Sequence, residues 1–407
     1  MQILIVGKYP PIQGGVAAHT YWLARGLGET GHRVSVVTNA NRVEEMYRIP
    51  LNLEDAKEQV AYEPENVSVF SLSEKAPRHA PYSESFVTRL VNLGLRAIEK
   101  NGADVIYAHY LEPYGVAALM LKELTGLPLV VRHAGSDIYR LFTHTDYSYV
   151  LGRVLKNADI ALMSHSLFYV AEAMGIEQRR LRPIPTRAHH PAFSPEGSRF
   201  DFPQQRAEGI PTITYMGKAS AHKGLLELLS VVPRLENDFR LMLVSKGPLL
   251  EEMQRKIDGS AALQERVMLS DFVPPWRVPA LLRASDLLVQ LENRFPIPIH
   301  APGQPYEGIA CGTPLLVSDD LIRKLVHSFP GIREKVSVVP DPEDTDALRR
   351  VLADTLSDLP AARARAAGAT IALQAKNDWK GYVDTHLTLF QEAAHRSIVS
   401  RVFRPRP

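Results

Sequence analysis

Short runs of Val, Ile and Leu alternate with amphipathic helical stretches along nearly the whole chain, and this alternation limits the fold more than any other feature. In the first half the runs fall at 3–6, 34–38, 67–71, 105–108, 129–132 and 160–164, with helical patterns between them, as at 17–30, 84–100 and 114–124. A second series follows at 213–216, 240–244, 267–269, 287–291, 315–318 and 336–339. Apolar runs without polar alternation are strands buried on both faces, and the intervening helices supply the crossovers of a parallel sheet. The expected fold class is α/β, with two Rossmann-like, doubly wound parallel sheets. Between the series, residues 182–211 carry Pro183, Pro185, Pro191, Pro195, Pro203 and Pro211 with little periodicity and read as a linker. At 407 residues the chain exceeds what one hydrophobic core accommodates, which agrees with two domains.

Composition removes several classes of function. With 45% hydrophobic and 23% charged residues the chain is globular rather than disordered. A net charge of +2 provides no field for nucleic acid, so no nucleic-acid partner is expected. The single cysteine, Cys311, excludes an internal disulfide framework and a cysteine-built zinc site, in keeping with a cytoplasmic location. The N-terminal run reaches Gly7-Lys8 too soon for a signal peptide. No run approaches the roughly 20 apolar residues of a spanning helix. The tail at 396–407 carries Arg401, Arg404 and Arg406, which allows at most peripheral membrane contact.

Ligands of open parallel sheets bind beyond the carboxyl ends of the strands, so the loops just after each strand are where chemistry is sought. The first of these contains Gly14-Gly15 and opens a helix. Paired glycines let backbone N–H groups approach an anion, and on this segment alone a phosphate loop and a plain turn fit equally. After the run ending at 132 comes His133-Ala-Gly-Ser-Asp137, polar where a buried strand meets solvent. In the second half, Gly217-Lys218 is followed five positions later by Lys223-Gly224 at a helix start. Two ammonium groups so placed reach one anionic ligand. Lys246-Gly247-Pro248 forms a further glycine loop. Glu307, in Glu-Gly-Ile-Ala-Cys-Gly-Thr-Pro314, lies near a helix start and suits ribose hydroxyls.

In this order along two Rossmann-like halves, these segments resemble the family 4 glycosyltransferases of the GT-B fold. Phe193-Ser194-Pro195 and Trp379 in the last long helix match as well. The resemblance implies an acceptor-side domain at 1–190, joined by a crossover helix and tail at 376–407. It places a donor-side domain at 207–375, with a cleft between the two. It further implies transfer of a sugar from a nucleotide-diphosphate sugar, of UDP or GDP type, with retention of configuration and without a metal or other cofactor. The acceptor would be a small molecule, a glycan or a lipid-linked sugar, contacted through the loops at 39–50 and 73–82. By the same resemblance Gly14 and Gly15 lie over the donor phosphate or the acceptor side. Lys218 and Lys223 neutralise the diphosphate, with Lys218 in place of the arginine common in relatives. Glu307 holds the ribose, and Gly247 and Val273 flank the base. His133 lies near the reaction centre, with Asp137 supporting its loop as the second candidate catalytic residue.

One departure concerns the donor sugar. The family pairs two glutamates with seven residues between them, and the position eight before Glu307 is Ile299. Glu292 and His300 are the nearest substitutes, and the stretch with His300, Gly303 and Gln304 is expected to read the sugar. Asp344-Thr345-Asp346 has the form of a metal motif, but Asp344 stands where a helix cap is expected. His189-His190 has no further ligand at metal spacing and reads as structural. Three rivals share parts of this pattern. A sugar-nucleotide epimerase or phosphorylase would have the same fold, and a non-catalytic nucleotide-sugar-binding protein would tolerate the missing glutamate. An NAD-dependent oxidoreductase would need a G-x-G-x-x-G turn, which follows neither first strand.

Overall fold

A computed structural model describes residues 1–50, 59–72, 86–202, 209–297, 300 and 302–402. Ile299, the loop at 73–82, Pro203, Arg404 and Arg406 lie outside the described residues. The chain forms two compact units, Met1–Ala188 with Asp378–Pro407, and His189–Asn377.

The first unit holds a sheet of β1 (Gln2–Gly7), β2 (Arg33–Thr38), β3 (Val67–Ser71), β4 (Val105–His109), β5 (Leu129–Arg132), β6 (Ile160–Met163) and β7 (Leu181–Pro183). Their order is β3-β2-β1-β4-β5-β6-β7, and every pairing is parallel. Ile3, Leu4, Ile5 and Val6 are all buried, as a strand covered on both faces requires. β7 corrects the linker expectation. It lies where the proline-rich stretch begins, and Pro183 is accommodated because β7 is the sheet edge, where a missing N–H breaks no ladder.

The last helix, Trp379–Val402, packs on this sheet rather than on the unit that precedes it. Gly26 makes the approach possible. A Cβ there would sit 2.7 Å from the Trp379 ring. Beneath the helix Arg132 donates to His19 Nε2 at 2.6 Å, and the Tyr382 hydroxyl meets the same nitrogen. Burial, more than the nearby Arg132 charge, drives the pKa of His19 and His109 well down. His386, lowered to about 3, is likewise neutral near neutral pH. The Arg132 guanidinium is therefore wrapped by uncharged aromatic and imidazole rings.

The second unit repeats the design with β8 (Thr212–Met216), β9 (Arg240–Val244), β10 (Val267–Ser270), β11 (Leu287–Gln290), β12 (Leu315–Ser318) and β13 (Ser337–Val339). The order is β10-β9-β8-β11-β12-β13, again parallel throughout. Residues 189–202, read as linker, are strapped to this unit by Arg283, which donates to the carbonyls of Ala192, Ser194 and Ser198. His189 and His190 are buried there, and the His189 ring stacks on Tyr306 at 6.0 Å. Asp344 caps the helix Thr345–Ser357, accepting from the N–H groups of Asp346 and Ala347. Among the described residues no helix is long and apolar enough to cross a membrane.

Candidate active site

In the first unit the candidate residues gather at the carboxyl edge of the sheet. The loop after β1 leads into the helix Gly15–Glu29, with Gly14 as its N-cap at φ 107°, a conformation that favours glycine. Gly14 and Gly15 are exposed, and a Cβ at either would meet nothing within 4 Å. Glycine at position 14 is thus required by the backbone, and no neighbouring side chain crowds the turn.

His133 is only 2% exposed. Its Nδ1 lies 3.1 Å from the Gly135 N–H and its Nε2 lies 2.9 Å from the Ser164 N–H. A neutral imidazole accepts at one nitrogen only, so the ring serves one amide at a time. Burial and the Arg132 charge lower its pKa to about 4, which keeps it neutral. Asp137 is wholly buried. Its carboxylate accepts from the N–H groups of Leu111 at 3.0 Å, Ala134 at 2.9 Å and Ile138 at 3.0 Å. Desolvation raises it to about 6, against the opposing pull of those donors. This side chain ties the His133 loop to the turn after β4, so its geometry is that of a positioning residue. Lys8, which carried no role in the motif pattern, is partly buried at the end of β1, with Nζ 4.2 Å from the centre of the Tyr110 ring.

In the second unit the loops after β8, β9, β10, β11 and β12 interlock. Sheet order reverses between β8 and β11, the place where such sheets bind ligands. The Gly217–Gly224 loop lies against the loop after β9, with the Ala219 N–H donating to the Lys246 carbonyl at 2.8 Å and the Leu249 N–H to the Ala219 carbonyl at 3.0 Å. Gly247 has φ 146°, and a Cβ there would lie 2.5 Å from the Ala219 carbonyl oxygen. Gly247→Ala is therefore expected to push the lysine loop out of place, with the loss of a few kcal/mol of stability. Thermal unfolding checks this. Lys246 pairs with Asp271 at 2.8 Å, joining the loops after β9 and β10 and bringing Gly247 near the Asp271-Phe272-Val273 segment.

Lys218 and Lys223 have different surroundings. Lys218 is exposed, and its carbonyl accepts from the Tyr215 hydroxyl at 3.1 Å. Lys223 is pinned, its Nζ on Oε2 of Glu292. Glu292 is 2% exposed and also receives Lys324 Nζ at 3.0 Å and His300 Nδ1 at 3.0 Å on Oε1. Burial alone would raise this carboxyl. The His300 hydrogen bond and the Lys223 charge together outweigh it and hold the group at about 2. Phe295 floors the cluster, with its ring centre 4.6 Å from Lys223 Nζ, 5.8 Å from Lys324 Nζ and 4.3 Å from the His300 ring. The two substitutes for the glutamate absent at Ile299, Glu292 and His300, are thus hydrogen-bonded partners.

Glu307 stands in the first turn of the helix Gln304–Ala310, with Gly303 as N-cap. Gly308 seats that helix on the sheet, since a Cβ there would lie 2.8 Å from Leu288 Cδ2 and 3.0 Å from Leu315 Cδ2. Cys311 follows, and burial pushes its thiol up to about 12, which leaves it unreactive. Lys324 was missed by sequence reading. It sits in the amphipathic helix Asp319–Val326, where a lysine beside Leu325 reads as an ordinary solvated position.

Comparisons with known proteins identify the family. Residues 14–187 match the glycosyl transferase 4-like domain, and residues 198–367 match the glycosyl transferases group 1 domain. The chain is 24% identical over 77% of its length to mannosylfructose-phosphate synthase of Agrobacterium fabrum, covering 74% of that protein. It is 25% identical over 53% of its length to TuaC of Bacillus subtilis, a glycosyltransferase assigned to teichuronic acid biosynthesis, and spans about half (53%) of that relative. Among solved structures, sucrose-phosphate synthase of Thermosynechococcus elongatus superposes with a TM-score of 0.62 at 16% identity, over 96% of this chain and 99% of the other. Anabaena HepE in complex with UDP-glucose gives 0.61 at 16% identity, over 97% and 99%. At these identities the structural likeness establishes the fold, and the two domain matches establish the family. The chain belongs to the glycosyltransferases of family 4 type with the GT-B fold, a 4-like domain in its first half and a group 1 domain in its second.

Proposed function

We propose that the protein transfers a sugar from a nucleoside-diphosphate sugar, of UDP or GDP type, to a hydroxyl of a small-molecule, glycan or lipid-linked acceptor. The reading includes retention of configuration, no requirement for a metal, and action in the cytoplasm. The observation that carries it is the cationic cluster at the sheet's reversal point, where Lys223 is aimed by a buried carboxylate beside a glycine loop. The acceptor hydroxyl oxygen bonds to the anomeric carbon on the face from which the diphosphate oxygen departs, the departing diphosphate takes the electron pair of the broken bond, and the hydroxyl proton passes to the diphosphate oxygen. Charge develops on the leaving group, and fixed ammonium groups stabilise it where it appears. Lys218 and Lys223 fill that role, Glu307 holds the ribose, and Gly247 and Val273 flank the base. Gly303, Gln304 and His300 face the sugar, with His133 near the reaction centre and Gly14-Gly15 beside the phosphate or acceptor. Anabaena HepE, a structural neighbour solved in complex with UDP-glucose, supports a donor of this kind.

Lys223→Ala is expected to weaken uridine or guanosine diphosphate binding by about ten- to a hundredfold, the worth of one charge-assisted contact. Glu307→Ala is expected to weaken it while the fold persists. Unchanged calorimetric affinities in both variants would remove the site assignment. Transfer that persists in excess chelator supports metal independence, and transfer that stops there refutes it.

A further inference from the structure

We propose that Lys324 is a third diphosphate-binding cation beside Lys218 and Lys223, held next to Lys223 by Glu292 acting as a positioning residue. The inference rests on the donor reading above and adds a residue that no motif marks.

Three loops at the carboxyl ends of neighbouring strands build the cluster. Lys223 comes from the loop after β8, Glu292 and His300 from the stretch after β11, and Lys324 from the helix after β12. Lys223 contacts Oε2 and Lys324 contacts Oε1 of the same carboxylate. Two ammonium nitrogens on the two oxygens of one carboxylate are close enough for one phosphate group to bridge. Both stand over the Phe295 ring, so the apolar side of the cluster is closed.

Charge explains why the arrangement suits an anion. Each lysine side chain is less than a fifth exposed, and Glu292 is the buried counter-ion they share. Asp320 adds only a looser contact to Lys324, at 3.6 Å and partly exposed. Holding two long side chains still costs rotamer entropy, and like charges at close range repel. A diphosphate, with more than one negative charge, offsets both costs. Glu292 meanwhile keeps the two ammonium groups oriented before the ligand arrives, so less ordering remains to be done on binding. The backbone also secures Glu292, whose carbonyl accepts from the Ser318 hydroxyl at the end of β12.

The test compares wild type, Lys324→Gln and Lys324→Arg by calorimetric titration with uridine and guanosine diphosphates and with the corresponding nucleosides, while circular dichroism monitors the fold. Lys324→Gln is expected to weaken the preferred diphosphate about tenfold or more and to leave the nucleoside within about twofold, because only the phosphate contact is lost. Lys324→Arg is expected to restore most of the diphosphate affinity. General damage to the unit would weaken nucleoside and diphosphate alike and would overturn the assignment. So would unchanged diphosphate affinity in Lys324→Gln when wild type binds. If wild type binds neither diphosphate, the donor reading itself fails, and the inference falls with it.

Discussion

Glu292→Ala is expected to produce a large loss of stability in the second unit. Removing one partner of a buried ion pair leaves uncompensated charge and costs about 3–5 kcal/mol. Here two ammonium groups and the His300 ring lose their common acceptor at once. Thermal or urea unfolding would show the deficit. The pH dependence has a definite sign. The folded carboxyl is held at about 2, below its ordinary 4.5. Its contribution is therefore fully present above about pH 4.5 and is lost as pH falls through 2. Glu292→Gln should flatten that acid limb. An acid limb of unchanged steepness would mean that Glu292 is not paired as described.

Asp137→Ala is expected to have the second large effect, in the first unit. Three backbone N–H groups lose their acceptor, and each buried donor left unmade costs about 1–3 kcal/mol. A total of about 3 kcal/mol would lower Tm by roughly 10 °C in a unit of this size. The His133 loop would loosen with it, so transfer should fall further than donor affinity. The pH sign is opposite to that of Glu292. Desolvation raises the folded pKa of Asp137 to about 6 from an ordinary 3.8. This term favours folding fully below about pH 3.8 and is lost as pH rises through 6. Asp137→Asn should remove the decline between pH 4 and 6 even where it costs stability overall. If Asp137→Ala matches wild type in Tm, the three-donor brace is not what holds the loop.

The two carboxylates show why environment, rather than residue type, decides the sign. Glu292 is buried among cations and is driven down. Asp137 is buried among amide donors, and for it desolvation wins. Neither difference is visible along the chain, because the cationic partner Lys324 and the donor Leu111 are both remote in sequence from the carboxylates they serve.

The architecture is legible in the sequence itself. Unbroken apolar runs such as 3–6 and 315–318 can be stable only where both faces are covered, and helices of crossover length between them force parallel order. The loops after β1, β5, β8 and β9 are legible as well, because glycines at φ 107°, 82°, 67° and 146° are local backbone requirements that leave a local signature. The cap at Asp344 was legible for the same reason. Which side chains meet was settled by folding alone. The start of the proline-rich stretch became an edge strand, because Leu181–Pro183 finds β6 beside it. Glu292 became the common partner of Lys223, His300 and Lys324, and Asp137 became a brace. Periodicity and turn chemistry act over a few residues and are written in order along the chain. Charge pairing and burial act through space, and they are settled only when neighbouring strands bring their loops to one edge.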